Sequence, residues 1–218
     1  MNTNRFKPVA RFVPSASFRK AGSAGIRKIV QVAVPGLCLL LTACGGNMED
    51  PKIELNPHPK MRYAVTVTFE NAPGPFDSIE ASVDYSVTDY SCVPEQPMSG
   101  ARILPGKHLD LELRQVNATT YETEVYVDRL KDDDFFSKGI CHWSEVSFSA
   151  IARRGRMTFM TPLPNFKYPA ASTEVRYFSF SAYQRSTTDM LNTGNRDRNA
   201  YPDSSKTFSI RVDAKEMH

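Results

Sequence analysis

Apolar and polar residues alternate along much of the chain after residue 62. In the first such segment Tyr63, Val65, Val67 and Phe69 are separated by small or polar residues. A period of two places one face of a β-strand in a core and the other face in water. The segments with this pattern are 63–69, 79–87, 109–114, 121–127, 143–152, 178–182 and 208–212. The pattern therefore predicts seven strands, and an Arg-Gly turn near residue 155 indicates a hairpin with an eighth strand after it.

Seven or eight short strands separated by turn residues are typical of a β-sandwich or a barrel. We predict a mainly β fold, a single antiparallel β-sandwich-like domain over residues 61–218. It differs from an immunoglobulin domain because Trp143 follows the second core cysteine instead of lying between the two. The local candidate for helix is residues 129–137, enough for one turn. We interpret Asn117-Ala118-Thr119 as a hairpin turn.

The N-terminal part has a different character. The first 28 residues contain no Asp or Glu, and an apolar run of about 15 residues, 29–43, follows them. This run is too short to cross a bilayer, which takes roughly 20 residues. A basic stretch, a short apolar core and small residues at its end are typical of a secretory signal peptide. The alternative, a buried core helix, would need an amphipathic period that the run lacks. The basic residues are Arg5, Lys7, Arg11, Arg19, Lys20, Arg27 and Lys28.

The apolar run ends in Leu41-Thr42-Ala43-Cys44, followed by Gly45. These residues resemble the lipobox of bacterial lipoprotein precursors. The resemblance implies cleavage before Cys44, a diacylglyceryl thioether on its sulfur and a further acyl chain on the freed amine. More than one acyl chain makes such an anchor stable. Gly45 replaces the Asp that signals inner-membrane retention in that family, which implies a lipid-anchored outer-membrane protein facing the periplasm.

Cleavage changes the charge of the protein. The whole chain has 27 Lys and Arg against 24 Asp and Glu. The predicted signal peptide, residues 1–43, holds seven of the basic residues, so the mature chain keeps 20 basic and 24 acidic residues, or about −4. The excess of basic residues in the whole chain comes from the predicted signal peptide, so it does not indicate nucleic-acid binding. A polar, proline-containing stretch, residues 44–60, is predicted to be the lipidated N-terminus and a flexible tether to the domain.

Two cysteines remain in the mature domain, because Cys38 lies in the discarded segment and Cys44 takes lipid. A pair in an oxidising compartment is usually a disulfide. A bridge between Cys92 and Cys141 would close a loop of 49 residues, which the chain-entropy model values at roughly 4 kcal/mol less any strain. A metal site or a reactive thiol is the alternative, but there is no C-x-x-C spacing, and His142 alone does not complete a ligand set.

An acidic and aromatic segment precedes the second of these cysteines. Asp132, Asp133 and Asp134 are followed by Phe135 and Phe136. Several carboxylates suit calcium, but the run lacks the spaced ligands and turn glycine of a known calcium loop. A solvated loop and Asp residues that cap a short helix remain open. The two phenylalanines either anchor a partner on an exposed recognition loop or lie in the core.

Two further segments are candidate binding surfaces. Arg153, Arg154 and Arg156 flank the predicted hairpin turn, where they would meet lipid phosphates or an acidic partner, unless they are merely solvated. Residues 193–206 form a long polar loop, and such loops on β scaffolds either carry function or are merely flexible. Its candidate contact residues are Arg196, Arg198 and Tyr201.

Catalytic motifs are missing from the sequence: it has no G-x-S-x-G, no H-E-x-x-H and no phosphate-binding glycine loop. We therefore expect a non-enzymatic domain, without cofactor or metal, that binds a protein partner in the envelope. Its architecture of anchor, tether and disulfide-bonded β domain resembles immunity-type lipoproteins that neutralise secreted antibacterial effectors. That resemblance implies that residues 132–136 or 193–201 plug the effector's active cleft, the acidic run mimicking an anionic substrate or pairing with a basic rim. A structural lipoprotein of an envelope or secretion machine and a ligand-binding or hydrolytic lipoprotein are the alternatives.

Overall fold

Ten strands form two sheets in the computed structural model, which describes residues 51–164, 171–185, 187 and 189–217. The predicted signal peptide and the Leu41-Thr42-Ala43-Cys44 lipobox lie outside the described residues. The strands are β1 (Arg62–Glu70), β2 (Ser78–Val87), β3 (Gly106–Leu111), β4 (Arg114–Gln115), β5 (Thr120–Tyr126), β6 (Trp143–Arg154), β7 (Met157–Leu163), β8 (Ala171–Ser179), β9 (Met190–Asn192) and β10 (Thr207–Met217).

Each sheet has five strands. One has the order β4-β5-β1-β10-β8 and the other the order β3-β2-β6-β7-β9. Every pairing is antiparallel except that of β7 with β9, which is parallel. The predicted mainly β, sandwich-like fold is confirmed, with more strands than the seven or eight expected. Strands β4 and β9 have only two and three residues, too short to show a period in the sequence.

The core lies between the sheets and follows the predicted alternation. Tyr63, Val65, Val67 and Phe69 are buried while the residues between them are partly exposed. On the facing sheet β2 and β6 bury alternate apolar residues in the same way, and the paired Ser82 and Ser149 of the opposite face are buried as well. Because side chains of a strand point to opposite faces in turn, each sheet contributes one apolar face to the core.

Strand register sorts the loops into two ends of the sandwich. Arg62, the first residue of β1, pairs with Met217 at the end of β10 and with Tyr126 at the end of β5. The chain ends and turns on this side make up what we call the disulfide end. It is defined by residues 51–61, 88–105 and 127–142.

The opposite end, called the hairpin end, lies where β1 finishes and β10 begins. Glu70 of β1 pairs there with Ser209 of β10. The β6–β7 hairpin turns at Gly155, as predicted, and Gly155 has a φ of 56°, a left-handed conformation that suits glycine. The hairpin end is defined by residues 71–77, 116–119, 154–156 and 180–206.

The helix predicted for residues 129–137 is wrong. Leu130 is in an antiparallel bridge with Leu55, and Asp133 is in another with Cys141. Backbone groups that would have closed a helical turn therefore bond to distant extended segments instead.

The strand predicted for residues 178–182 is only partly correct. Strand β8 ends at Ser179, and the following residues form the short helix α1 (Phe180–Gln184). The Ser179 hydroxyl accepts a hydrogen bond from the Ala182 N–H at 3.2 Å, the usual role of a serine N-cap. The strand predicted for residues 109–114 is likewise divided, because the chain passes from one sheet to the other between β3 and β4.

The described part of the predicted tether is joined to the domain. The Asn56 N–H donates to the Arg129 carbonyl at 2.8 Å, and the Lys131 N–H donates to the Glu54 carbonyl at 3.0 Å. Part of the segment assigned to residues 44–60 thus pairs with the chain that follows β5. The turn predicted at Asn117 is confirmed between β4 and β5.

Candidate partner-binding surfaces

The candidate contact residues are divided between the two ends. Residues 132–136 follow β5 and precede β6, so they lie at the disulfide end. The arginines around Gly155 and the loop 193–206 lie at the hairpin end. Strand β6 has 12 residues between the two groups, a distance of about 40 Å at 3.3 Å per residue. One compact binding site therefore cannot include both.

The acidic run uses its carboxylates within its own loop. Asp132 accepts a hydrogen bond from the Trp143 N–H at 3.0 Å and contacts His142 Nδ1 at 2.7 Å. Asp134 accepts from the N–H groups of Lys138 and Gly139 at 2.9 and 3.2 Å. These contacts organise the loop before β6.

Asp133, the middle member of the run, pairs with Lys131 at 2.8 Å. The hydrogen bond from Lys131 and that from the Asp134 N–H lower the pKa of Asp133. Among the described residues, no group of three or more His, Cys, Asp or Glu side chains is placed to hold a metal ion.

The two phenylalanines of this loop are half-buried and pack against the core. The ring centroids of Phe135 and Trp143 lie 6.1 Å apart, and those of Phe135 and Phe136 lie 6.4 Å apart. Nearby, Cys92 and Cys141 form the predicted disulfide, and both are buried. The loop is thus closer to the core interpretation than to an exposed aromatic anchor.

Arginines at the hairpin turn are held by carboxylates from neighbouring segments. Asp77 accepts from the Gly155 N–H at 2.5 Å and from Arg154 at 2.8 Å. The hydrogen bond from the Gly155 N–H has the larger effect, and together with that from Arg154 it holds the pKa of Asp77 below its ordinary value. The Arg154 guanidinium also lies over the Tyr183 ring, 5.5 Å from its centroid.

The other two arginines of the turn are paired as well. Arg153 donates to both carboxylate oxygens of Glu80, at 3.1 to 3.3 Å. Arg156 Nε donates to Asp189 at 2.8 Å, and a second bond joins the same two side chains. The guanidinium groups are therefore oriented and still largely exposed to solvent.

The long loop lies along the edge of β8. The N–H and carbonyl of Asn195 bond to the carbonyl and N–H of Tyr177 at 3.0 and 2.8 Å, and the Tyr201 hydroxyl donates to the same Tyr177 carbonyl at 2.5 Å. Arg196 donates to both oxygens of Glu174 at 2.7 and 3.1 Å. This contact with β8 closes one edge of the sandwich.

Arg198 stabilises the same loop from within. Its Nε donates to the Ser204 carbonyl at 2.9 Å and to the Thr207 hydroxyl at 3.0 Å. The predicted contact residues Arg196, Arg198 and Tyr201 therefore hold the loop in place against β8 and β10.

Two exposed apolar residues at the hairpin end were missed by the sequence analysis. Met190 and Leu191 of β9 are 46% and 59% exposed. The Met190 N–H donates to the Arg156 carbonyl at 3.2 Å, which joins β9 to the hairpin turn. Their short segment shows no apolar period, so the sequence carried no signal for it.

A concave region of about 470 Å³ lies at the hairpin end, between the segment 71–77 and the turn that joins β4 to β5. It is lined by the aromatic residues Phe69, Phe76 and Tyr121 together with the polar residues Asn71 and Gln115. Another concave region, of about 350 Å³, lies between β3 and β5 toward the disulfide end.

No protein-family model, curated protein or solved structure matches the chain. None of the helices in the described residues is long and apolar enough to span a bilayer.

Proposed function

We propose that the protein is a lipid-anchored envelope protein that binds a protein partner through its hairpin end. The observation that carries the proposal is the position of Met190 and Leu191, exposed beside the Arg156–Asp189 pair. Methionine and arginine are enriched in protein interfaces, and arginine is frequent among the residues that dominate binding energy. A guanidinium already held by a carboxylate loses less conformational entropy on binding.

The position of the N-terminal segment supports the choice of end. The chain enters the domain at the disulfide end, where Glu54 pairs with Lys131. Pro51 is seven residues after Cys44, a span of at most about 25 Å. Strand β10 has 11 residues and so extends about 36 Å. A lipid on Cys44 would keep the disulfide end near the membrane and leave the hairpin end facing away from it.

The most concrete form of this proposal is an immunity-type lipoprotein whose hairpin end covers the active cleft of a secreted effector. The acidic run gives little support to substrate mimicry, because Asp132, Asp133 and Asp134 are used in their own loop. We therefore assign the binding role to Met190, Leu191 and the arginines around Gly155.

Affinity capture with matched variants tests the proposal. The full chain, exported and extracted from membranes of its native bacterium, is captured beside Leu191→Asp and Leu55→Asp. Leu55 is also an exposed leucine, at 51%, but lies at the disulfide end. We expect one dominant partner at equal stoichiometry with the wild type and Leu55→Asp, and at least about tenfold weaker binding with Leu191→Asp, the loss of an interface anchor.

The other outcomes are distinct. A partner retained at full affinity by Leu191→Asp contradicts the hairpin end as the binding surface. Several envelope components in place of one partner contradict the immunity proposal and favour an assembly lipoprotein. If the chain is not in the membrane fraction, or Cys44 carries no acyl mass, the anchor is contradicted.

A ligand-binding lipoprotein is the second candidate, favoured by the cleft of about 470 Å³ beside Phe69, Phe76 and Tyr121. Ligand sites commonly combine apolar walls with a few polar groups, as this cleft does. Ala118 lines the cleft and is exposed, so Ala118→Trp should fill it. A small apolar dye that binds the wild type and not Ala118→Trp would support this function, and equal binding by both would contradict it.

A further inference from the structure

Several large apolar side chains are exposed at the disulfide end. Isolated exposed apolar residues are normal on a soluble protein, whereas a group of them at one place indicates contact with another apolar surface. Leu55, at 51%, lies on the segment 51–61, and four more such residues lie close to the disulfide in sequence. Three of these four lie on the connection 88–105, and the fourth directly precedes Cys141. They are Tyr90, Met98, Ile103 and Ile140, with 57%, 101%, 63% and 55% of their surface exposed.

The base of the connection is firmly attached to the domain. Cys92 is bonded to Cys141, which immediately precedes β6. The one-turn 3₁₀ helix Tyr90–Cys92 is capped by Asp89, whose carboxylate accepts from the Ser91 N–H at 2.8 Å. The apolar residues are therefore displayed on a supported segment.

The tip of the connection is a tight turn. The Gln96 N–H donates to the Ala101 carbonyl at 2.7 Å, and Arg102 pairs with Glu95 at 3.0 Å across the turn. Met98 lies at the apex, fully exposed. The turn thus exposes an apolar side chain at its apex, and the charges of Glu95 and Arg102 on either side of it neutralise each other.

The charge of the connection argues against attraction to an anionic surface. Its charged residues are Asp89, Glu95 and Arg102, a net charge of about −1. Contact made by this loop must therefore depend on burial of apolar area, which is insensitive to salt.

We propose that the connection 88–105 and Ile140 dock onto the lipid surface of the membrane that holds the protein. This inference rests on the lipid anchor at Cys44 in the proposed function. Pro51 is within about 25 Å of Cys44 along the chain, and it lies at the same end as Met98. Since the anchor makes the second contact intramolecular, a few apolar side chains are enough to keep the loop on the bilayer. The docked loop sets the orientation of the hairpin end.

A fluorescent probe in the full lipidated chain tests the proposal. The chain is reconstituted into phosphatidylcholine vesicles with lipids that carry a quencher on their acyl chains. The probe is attached at Met98→Cys or, as a matched control, at Leu191→Cys, an exposed apolar position at the hairpin end. We expect quenching at position 98 to exceed that at position 191 by at least about threefold, because an inserted apolar loop lies at the boundary of the acyl chains, and to be unchanged when a third of the lipid is phosphatidylglycerol. Equal quenching at the two positions overturns the proposal.

A second variant separates docking from mere proximity to the membrane. A probe at Ile140→Cys is compared with and without Met98→Asp and Ile103→Asp. The two aspartates should remove quenching at position 140 if apolar insertion holds the loop, and unchanged quenching contradicts insertion. Acyl mass on Cys44 and flotation with the vesicles are measured on every sample. A lipidated, floating chain without quenching at position 98 overturns only this inference, whereas a chain without lipid overturns the proposed anchor.

Discussion

Six aromatic rings pack together at the hairpin end, whereas a covalent bond ties the chain together at the disulfide end. The rings come from four stretches of the chain that are far apart in sequence, with centroid distances of 5.1 to 6.1 Å between many of them. At the disulfide end the connections 88–105 and 127–142 are joined where Cys92 is bonded to Cys141, across 49 residues. The six rings are Phe69, Phe76, Phe159, Phe178, Tyr183 and Phe208.

The difference shows two solutions to the same problem. A loop loses conformational entropy when it is ordered, and either buried apolar area or a cross-link that restricts the unfolded chain can offset the loss. At the hairpin end, buried aromatic rings stabilise the loops that pack against the core. At the disulfide end, the cross-link stabilises the connections 88–105 and 127–142. Changes confined to one end should therefore leave the other end largely intact.

Removal of the disulfide should have the largest effect. With Cys92→Ala and Cys141→Ala together we expect the free energy of unfolding to fall by about 4 kcal/mol, since a 49-residue loop is released in the unfolded chain. Urea unfolding followed by Trp143 fluorescence measures it. Reducing agent should destabilise the wild type to a similar extent and leave the double variant unchanged. An equal response of both proteins would show that the bond contributes nothing.

Gly194→Ala should disturb the hairpin end almost as much. Gly194 has a φ of 63°, and a Cβ there would lie 2.6 Å from the Tyr177 carbonyl oxygen and 2.8 Å from the Phe178 ring. We expect a loss of about 3 kcal/mol in unfolding experiments, from the left-handed backbone together with the steric overlap.

Gly100→Ala is the matched control for that change. Gly100 lies on the connection 88–105, has a φ of 67° and has nothing within 4 Å of the added Cβ. Only the cost of the left-handed backbone conformation remains, so we expect the free energy of unfolding to fall by about 1 kcal/mol. Equal losses from the two variants would show that packing against Phe178 does not matter.

Tyr183→Phe should have a smaller effect, also at the hairpin end. The Tyr183 hydroxyl donates to the Pro75 carbonyl, and the residue is 7% exposed. Loss of the bond should lower the free energy of unfolding by about 1 kcal/mol. Tyr90→Phe, which removes an exposed hydroxyl at the disulfide end, should change it by less than about 0.5 kcal/mol. The expectation fails if Tyr90→Phe is the more destabilising of the two.

The smallest expected effect is the acid dependence of the hairpin turn. Because the pKa of Asp77 is held below its ordinary value by the Gly155 N–H and then Arg154, its ionised form stabilises the fold above pH about 4. This contribution is lost as the pH falls through the lowered pKa. Asp77→Asn should therefore make stability less dependent on pH below about pH 4. Glu112→Gln, an exposed control, should leave the profile unchanged. A wild-type profile in Asp77→Asn would contradict the role of that carboxylate.

Strand positions could be predicted from the sequence because the period of two is local. In the segments 63–69 and 208–212, every second residue is apolar, and these apolar residues are the ones that the fold buries. Residues 129–137 show the limit of such patterns, since the prediction of a helix there considered only neighbours in sequence. Leu55 and Cys141, far away in the chain, supplied the backbone partners that prevented it.

The sequence could predict which segments carry candidate contact residues, but not which of those residues lie together on one surface. The sequence indicated the arginines around Gly155 and the loop 193–206, and the fold places both at the hairpin end. It could not supply Asp77 as the partner of Arg154, because 77 residues separate them. Nor could it show that Met190 and Leu191 are exposed, since exposure depends on what covers the edge of a sheet.

By itself, then, the sequence determined the mainly β character, the two cysteines available for a disulfide, and the turn at Gly155. Each depends on residue type and short spacing. Tertiary structure decided the strand order, the separation of the acidic run from the arginines by the length of β6, and the loops that share an end with the N-terminal segment. Alternation specifies which face of a strand is buried, but it does not specify the neighbouring strand, and only the packing of the two sheets determines which distant residues meet.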